Sequence, residues 1–194
     1  GDVYLINEEL GKISQVQLEN GKISFKDLLD PDHIMGPSPK GQRQISYKEV
    51  DGVGVFQKTL PNMKTAFRVR GGALELIGQY SGKMELKKSL LSMIVNQTTM
   101  SFADLEQNKI FETTLAVDNE FKDMNNMSVL SYSYPNVLLE YKDTNWGLHY
   151  LARFNLEKNS WDRFNLDLSG PFELKWSSAR LGKAFIVNKT GDDL

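Results

Sequence analysis

The chain has 194 residues, 40% of them hydrophobic and 25% charged, with 23 Lys and Arg balanced by 25 Asp and Glu. That length suits one cored domain, or one with a short N-terminal annex, and the even charge leaves no footprint for non-specific nucleic-acid binding. The absence of cysteine excludes disulfides, thiolate catalysis and Cys-ligated metal centres, and no apolar run approaches the roughly 18 residues of a membrane-spanning helix.

The first clear element is a hairpin. Val16 and Leu18 alternate with polar residues, Asn20-Gly21 supplies the two positive-φ residues of a type I′ turn, and Ile23 and Phe25 return on the same face. Gly-Lys-Ile-Ser occurs at 11–14 and again at 21–24, leading into each of the two strands. A true repeat would return at the same beat, and the nearest echo, Gly182 to Phe185, is off period, so the rhyme belongs to one hairpin. A propeller fragment is the alternative, because Val3 to Asn7 reads as a blade strand.

Residues 30–42 carry three prolines and two glycines and read as a long surface loop. Asp51-Gly52 and Leu60-Pro61-Asn62 punctuate short strands around Val53 to Phe56. Gly71-Gly72 separates Ala66 to Val69 from Ala73 to Tyr80, where Leu74, Leu76 and Tyr80 share one parity. Met84 to Val95 is the one stretch with helical spacing, at Leu86, Leu90, Met93 and Ile94, although a strand fits nearly as well. Ser101 to Asp104 resembles a capping box before a single turn through Leu105, and Phe111, Thr113, Leu115 and Val117 then alternate as a strand.

The last third carries the plainest β pattern. Trp146, Leu148, Tyr150, Ala152, Phe154 and Leu156 form one face, with His149, Arg153 and Asn155 on the other beside Leu151. After a turn at 157–160, Phe164, Leu166 and Leu168 return on the apolar side, opposite Arg163, Asn165 and Asp167. Ser169-Gly170-Pro171 leads to Phe172, Leu174 and Trp176, and Ala184 to Val187 closes the chain. Short strands at about ten-residue spacing with little helix predict an antiparallel sandwich or barrel.

Motif chemistry is sparse. Gly36 to Gly41 lacks the Lys-Ser/Thr of a phosphate loop, and its prolines remove the N–H groups that would cradle phosphate. The two histidines, His33 and His149, are far apart, with no metal-ligand spacing and no G-x-S-x-G elbow for a triad. Glycoside hydrolysis needs two carboxylates about 5–10 Å apart, and Glu140, Asp167 and Glu173 lie on strands where such a pair is open, against the ordinary reading of a solvated sheet face. Calcium is the cofactor with any footing, at Asp30-Pro31-Asp32, Asp118-Asn119-Glu120 or Asp192-Asp193, none of which has EF-hand spacing. Three sequons, at Asn96, Asn126 and Asn188, are what an Asn-, Ser- and Thr-rich chain yields by chance.

Aromatic residues offer the best binding signal, since an exposed ring stacks on sugars while Arg and Asn hydrogen-bond hydroxyls. Parity places Trp146, Tyr150 and Trp176 in the core and Trp161 on the polar face with Arg163 and Asn165, beside Arg153 across the hairpin. Trp161, Arg153, Arg163, Asn165 and His149 are therefore the candidate ligand-binding residues, with a plain polar sheet face as the competing reading and no catalytic residue assigned.

Gly72 to Gly78 (GALELIG), Leu90 to Thr98 with Asn96-Gln97-Thr98, Phe111 to Val117, Met127 to Tyr134 and Val137 to Tyr141 together form a strand pattern. Over residues 72–141 it resembles the concanavalin-like jelly-roll module C-terminal to the catalytic domain of family 43 glycoside hydrolases. The family's tyrosine–serine–x–aspartate–glycine turn is missing; Lys175 to Ser178 stands roughly in its place. The resemblance implies a sandwich and an accessory, carbohydrate-contacting role, with no catalytic residues to transfer.

The expected fold is thus an all-β, antiparallel two-sheet sandwich of jelly-roll type, with an up-and-down, lipocalin-like barrel as the alternative. Residues 1–70 form an N-terminal hairpin and loop region packed on a sandwich at 71–194, in one compact domain overall. The expected function is a non-catalytic binding module with a glycan ligand. The alternatives are a carrier of an apolar small molecule, a structural or partner-binding envelope protein marked by an exposed apolar patch, and last a hydrolase. A start at Gly1 rather than Met suggests a removed signal peptide, hence an extracellular or periplasmic location.

Overall fold

Two-residue turns set the architecture. Asn20 and Gly21 both adopt positive φ, at 52° and 73°, and so do Asp51-Gly52 and Gly71-Gly72; this twist matches that of the strands they join and closes tight antiparallel hairpins. In the computed structural model, which describes residues 2–30, 35–36, 45–114, 123–143, 149–168, 172–178 and 183–188 (backbone only at 149, 163–168, 172–178 and 183–188), such hairpins chain into meanders.

Sheet I contains β1 (Val3–Asn7), β2 (Lys12–Glu19) and β3 (Lys22–Asp27). Sheet II contains β4 (Ile45–Val50), β5 (Val53–Thr59), β6 (Lys64–Arg70) and β7 (Ala73–Tyr80). Sheet III contains β8 (Met84–Lys87), β9 (Leu90–Ile94), β10 (Thr99–Asp104) and β11 (Lys109–Thr114). Sheet IV contains β12 (Met127–Ser133), β13 (Asn136–Lys142), β14 (His149–Asn155) and β15 (Ser160–Leu168), and sheet V pairs β16 (Phe172–Ser178) with β17 (Lys183–Asn188).

Within every sheet the strand order is the chain order. A jelly-roll pairs strands distant in sequence; among the described residues each ladder joins sequence neighbours, and no sheet closes on itself as a barrel. The all-β, antiparallel, sandwich-like expectation therefore stands, no described sheet makes the lipocalin-like closure, and the jelly-roll pairing is not confirmed. Gly71-Gly72 turns β6 into β7 inside sheet II, so residues on either side of position 70 share one sheet.

The sheets pack in series rather than as a single pair. Ile13, Leu28, Phe56, Phe67 and Leu74 fill the space between sheets I and II. Val55, Ala66, Ile77, Leu91, Met93 and Ala103 fill that between II and III. Leu90, Ile94, Met100, Phe102, Val137, Leu139 and Phe154 fill that between III and IV. Each adjacent pair is sandwich-like, but the central strands β9 and β10 of sheet III are buried on both faces. In β9 the even residues Leu90 and Ile94 point to sheet IV and the odd residues Leu91 and Met93 to sheet II.

That double burial corrects the helical spacing at 84–95. A strand apolar on both faces loses its alternation and becomes indistinguishable from a helix by periodicity. Here Lys88, at φ 53°, turns β8 into β9. The capping box at Ser101 to Asp104 is likewise the end of β10, with the Asp104 side chain capping a turn instead of a helix.

The first strands β4, β8 and β12 are neighbours across the sheets, β4 with β8 and β8 with β12. They begin at Ile45, Met84 and Met127, about forty residues apart. Stacked four-stranded meanders with adjoining first strands bring one class of turn to a common end.

Candidate functional site: a cleft at the turn end

The turns joining first to second strand in sheets II, III and IV are Asp51-Gly52, Lys88-Ser89 and Tyr134-Pro135. With the β10–β11 turn they bound a cleft of about 740 Å³, whose walls include Asp51, Arg68, Lys88, Glu106, Gln107 and Tyr134. Turns carry all of these but Arg68, which comes from β6, because loop positions leave side chains in water while the strands behind hold them still.

Asp104 organises the cleft floor. It is buried, and its Oδ1 accepts from the backbone N–H of Glu106 at 3.0 Å and of Gln107 at 3.1 Å, which fixes the β10–β11 turn and presents both side chains outward. The Tyr132 hydroxyl, from the neighbouring sheet, donates to the other oxygen, Oδ2. Burial first, and the Asp104 carboxylate second, push the Tyr132 phenol far above the usual tyrosine range. Tyr132 thus stays a protonated donor at any physiological pH.

Arg68 ties the opposite wall to the same turn. Its Nε donates to Glu75 Oε2 at 2.8 Å, Nη1 donates to the Leu105 carbonyl at 2.8 Å, and Nη2 donates to Asn108 Oδ1. The planar fork serves three acceptors from three separate nitrogens, a spread that the single nitrogen of lysine does not span. The Arg68 hydrogen bond also holds the Glu75 carboxyl below its ordinary range. Tyr134 is oriented by donating to Glu157 Oε1 at 3.0 Å, with the Lys109 ammonium 5.6 Å from its ring centroid.

A second hollow, about 460 Å³, shares Gly52, Gly54 and Val69 with the first and is walled by Asp2, Tyr4, Tyr47 and Glu49. Tyr47 lies across Gly54: a Cβ there would fall 2.1 Å from the phenol oxygen, so only glycine admits the ring. Its hydroxyl donates to Glu49 Oε2 at 2.9 Å, and Tyr4 donates to Asp2 Oδ2 at 3.2 Å. Both phenols are raised above the usual range, by burial first and then by these carboxylates. Tyr4, Tyr47 and Phe56 pack ring to ring at 4.7–5.4 Å.

Of the candidate residues read from sequence, Arg153 and Trp161 are not brought together. In the β14–β15 ladder Arg153 pairs with Asp162 and Phe154 with Trp161, which sets Arg153 and Trp161 on opposite faces. Trp161 packs on Phe154 at 4.7 Å, donates its ring N–H to Thr113 Oγ1 at 3.0 Å and leans on the core between sheets III and IV. Arg153 is exposed and donates to Asp162 at 2.9 Å.

The physical reason is the turn. Four residues separate Asn155 from Ser160, so even-numbered residues meet odd-numbered ones and the apolar face changes parity across the hairpin. Arg163 is the register partner of Ala152, Asn165 lies on β15, and His149 pairs with Leu168; their side chains lie outside the described residues. So do those of Asp167, Glu173 and Trp176, together with His33, Trp146, Asp32, residues 118–120 and residues 192–193. Among the described residues no group of three His, Asp or Glu is placed to hold a metal ion.

What the cleft offers chemically is a set of fixed acceptors and donors on an open surface with phenol rings beside them. Lys88 gave no periodic signal because it sits in a turn, and Arg68 is a strand residue of β6 whose place beside the cleft follows only from the stacking of the sheets. The chain matches no family model and no curated protein sequence.

Proposed function

We propose that this is a non-catalytic, exported binding module that holds a glycan in the turn-end cleft, in a fold whose sheets follow one another like propeller blades. The observation that carries it is the set of polar groups fixed around the cleft by Asp104 and Arg68, open to solvent and flanked by Tyr134. Sugar hydroxyls need paired donors and acceptors plus a ring to stack on, and an apolar cargo would need an enclosed pocket instead. Consecutive meanders with adjoining first strands support the blade-like description over the jelly-roll one. The resemblance to the family 43 accessory module bears on the ligand class alone, because the strands that carry it are spread over sheets II, III and IV.

The test is a thermal-shift and calorimetric screen of the protein against neutral, amino and acidic oligosaccharides. At a ligand concentration of 100 times Kd the native state gains about 2.7 kcal/mol, a rise in Tm of several degrees. Tyr134→Ala and Glu106→Ala are expected to abolish the shift, and Trp161→Phe to leave it. No shift with any sugar class, or a shift untouched by both cleft variants, refutes the proposal.

A further inference from the structure

We infer that the outer face of sheet I is a self-association surface that pairs with the same face of a second copy of this chain. The inner face of the sheet is spent on sheet II through Tyr4, Ile6 and Ile13. The outer face is just as apolar and is left in water: Val3 is 61% exposed, Leu5 51%, Leu18 73%, Ile23 66% and Phe25 60%. Strand period two puts all five on one side, and the register aligns them, Val3 with Val16 with Phe25 and Leu18 with Ile23.

Side chains of this size expose on the order of 150–200 Å² when free, so those fractions leave roughly 500–600 Å² in one patch, the top of what a monomer exposes. Two such faces bury about 1,000–1,200 Å², the threshold for a stable specific interface. The occupant is argued from charge. A face meets its own image only if it carries no net charge, and the charged residues of this parity are Lys12 and Asp27, which neutralise each other at 3.4 Å. Lys22, Lys26 and Glu19 have the opposite parity. Face-to-face packing of apolar sheets is also the contact this molecule already makes at each of its internal interfaces.

The experiment is sedimentation equilibrium of the full chain from about 1 to 200 μM. The expected result is a concentration-dependent mass rising to twice 22.0 kDa. Leu18→Lys and Phe25→Lys, each at an exposed site, are expected to give monomer at every concentration with unchanged circular dichroism. Ile110→Lys, an equally exposed apolar residue on sheet III, is expected to leave the mass as in the parent chain. A parent chain monomeric throughout, a dimer that survives both sheet I lysines, or an open series of larger species would each overturn the two-fold pairing.

Discussion

Tyr132→Phe isolates the bond that joins sheet IV to the cleft floor. The ring is 5% exposed and phenylalanine keeps its volume, so no cavity opens. What disappears is a hydroxyl donating to Asp104, leaving Oδ2 without it while Oδ1 keeps the Glu106 and Gln107 N–H groups. A buried hydrogen bond to a charged group is worth about 1.5–3 kcal/mol, which for a chain of this length lowers Tm by roughly 3–12 °C. The pH dependence supplies an independent check. The folded-state pKa of Tyr132 is raised, so its contribution is present in full below the unfolded value near 10 and is lost as pH rises towards the folded value. At pH 11 that loss is about 1.4 kcal/mol for one group, and the variant is spared it. Urea unfolding followed by tryptophan fluorescence should therefore show the two proteins separated at pH 7 and converging by about that amount at pH 11. A deficit below about 0.5 kcal/mol at neutral pH, or a gap that does not narrow in alkali, would refute the account of this contact.

Gly11→Ala should be far costlier than Gly21→Ala, although both positions have positive φ. A Cβ at Gly11 would lie 2.1 Å from the Met35 carbonyl, whereas at Gly21 it meets nothing within 4 Å. We expect a loss of about 1 kcal/mol at Gly21 and more than 3 kcal/mol at Gly11, with equal losses in chemical denaturation counting against the close approach. Phe102→Ala removes a fully buried ring stacked on Phe154 at 5.4 Å between sheets III and IV, and should cost about 3–5 kcal/mol. A loss under 1 kcal/mol would mean that those sheets do not share a core.

Strands and hairpins were legible wherever local chemistry decides them. Asn20-Gly21, Asp51-Gly52 and Gly71-Gly72 close hairpins because positive φ is cheap for those residues, and alternation at 16–25 follows from the two faces of sheet I being differently packed. Legibility failed where burial is two-sided: the 84–95 stretch read as helix because β9 is apolar on both faces, and Ser101 to Asp104 read as a helix capping box because the Asp104 side chain caps a turn with the same geometry. It failed again at Trp161, where side was inferred from numbering while the four-residue turn switches parity.

The residues alone, through turn conformations, the absence of cysteine and the period of their apolar side chains, were sufficient to determine an antiparallel all-β chain. Which sheets stack, which face Trp161 takes, and the meeting of Asp51, Arg68, Lys88, Glu106 and Tyr134 around one cleft were decided by packing. Those residues span some eighty positions in the chain, and no local preference brings them together. Burying both faces of the central strands of sheet III does so, because it lays three meanders side by side and carries their turns to the same end.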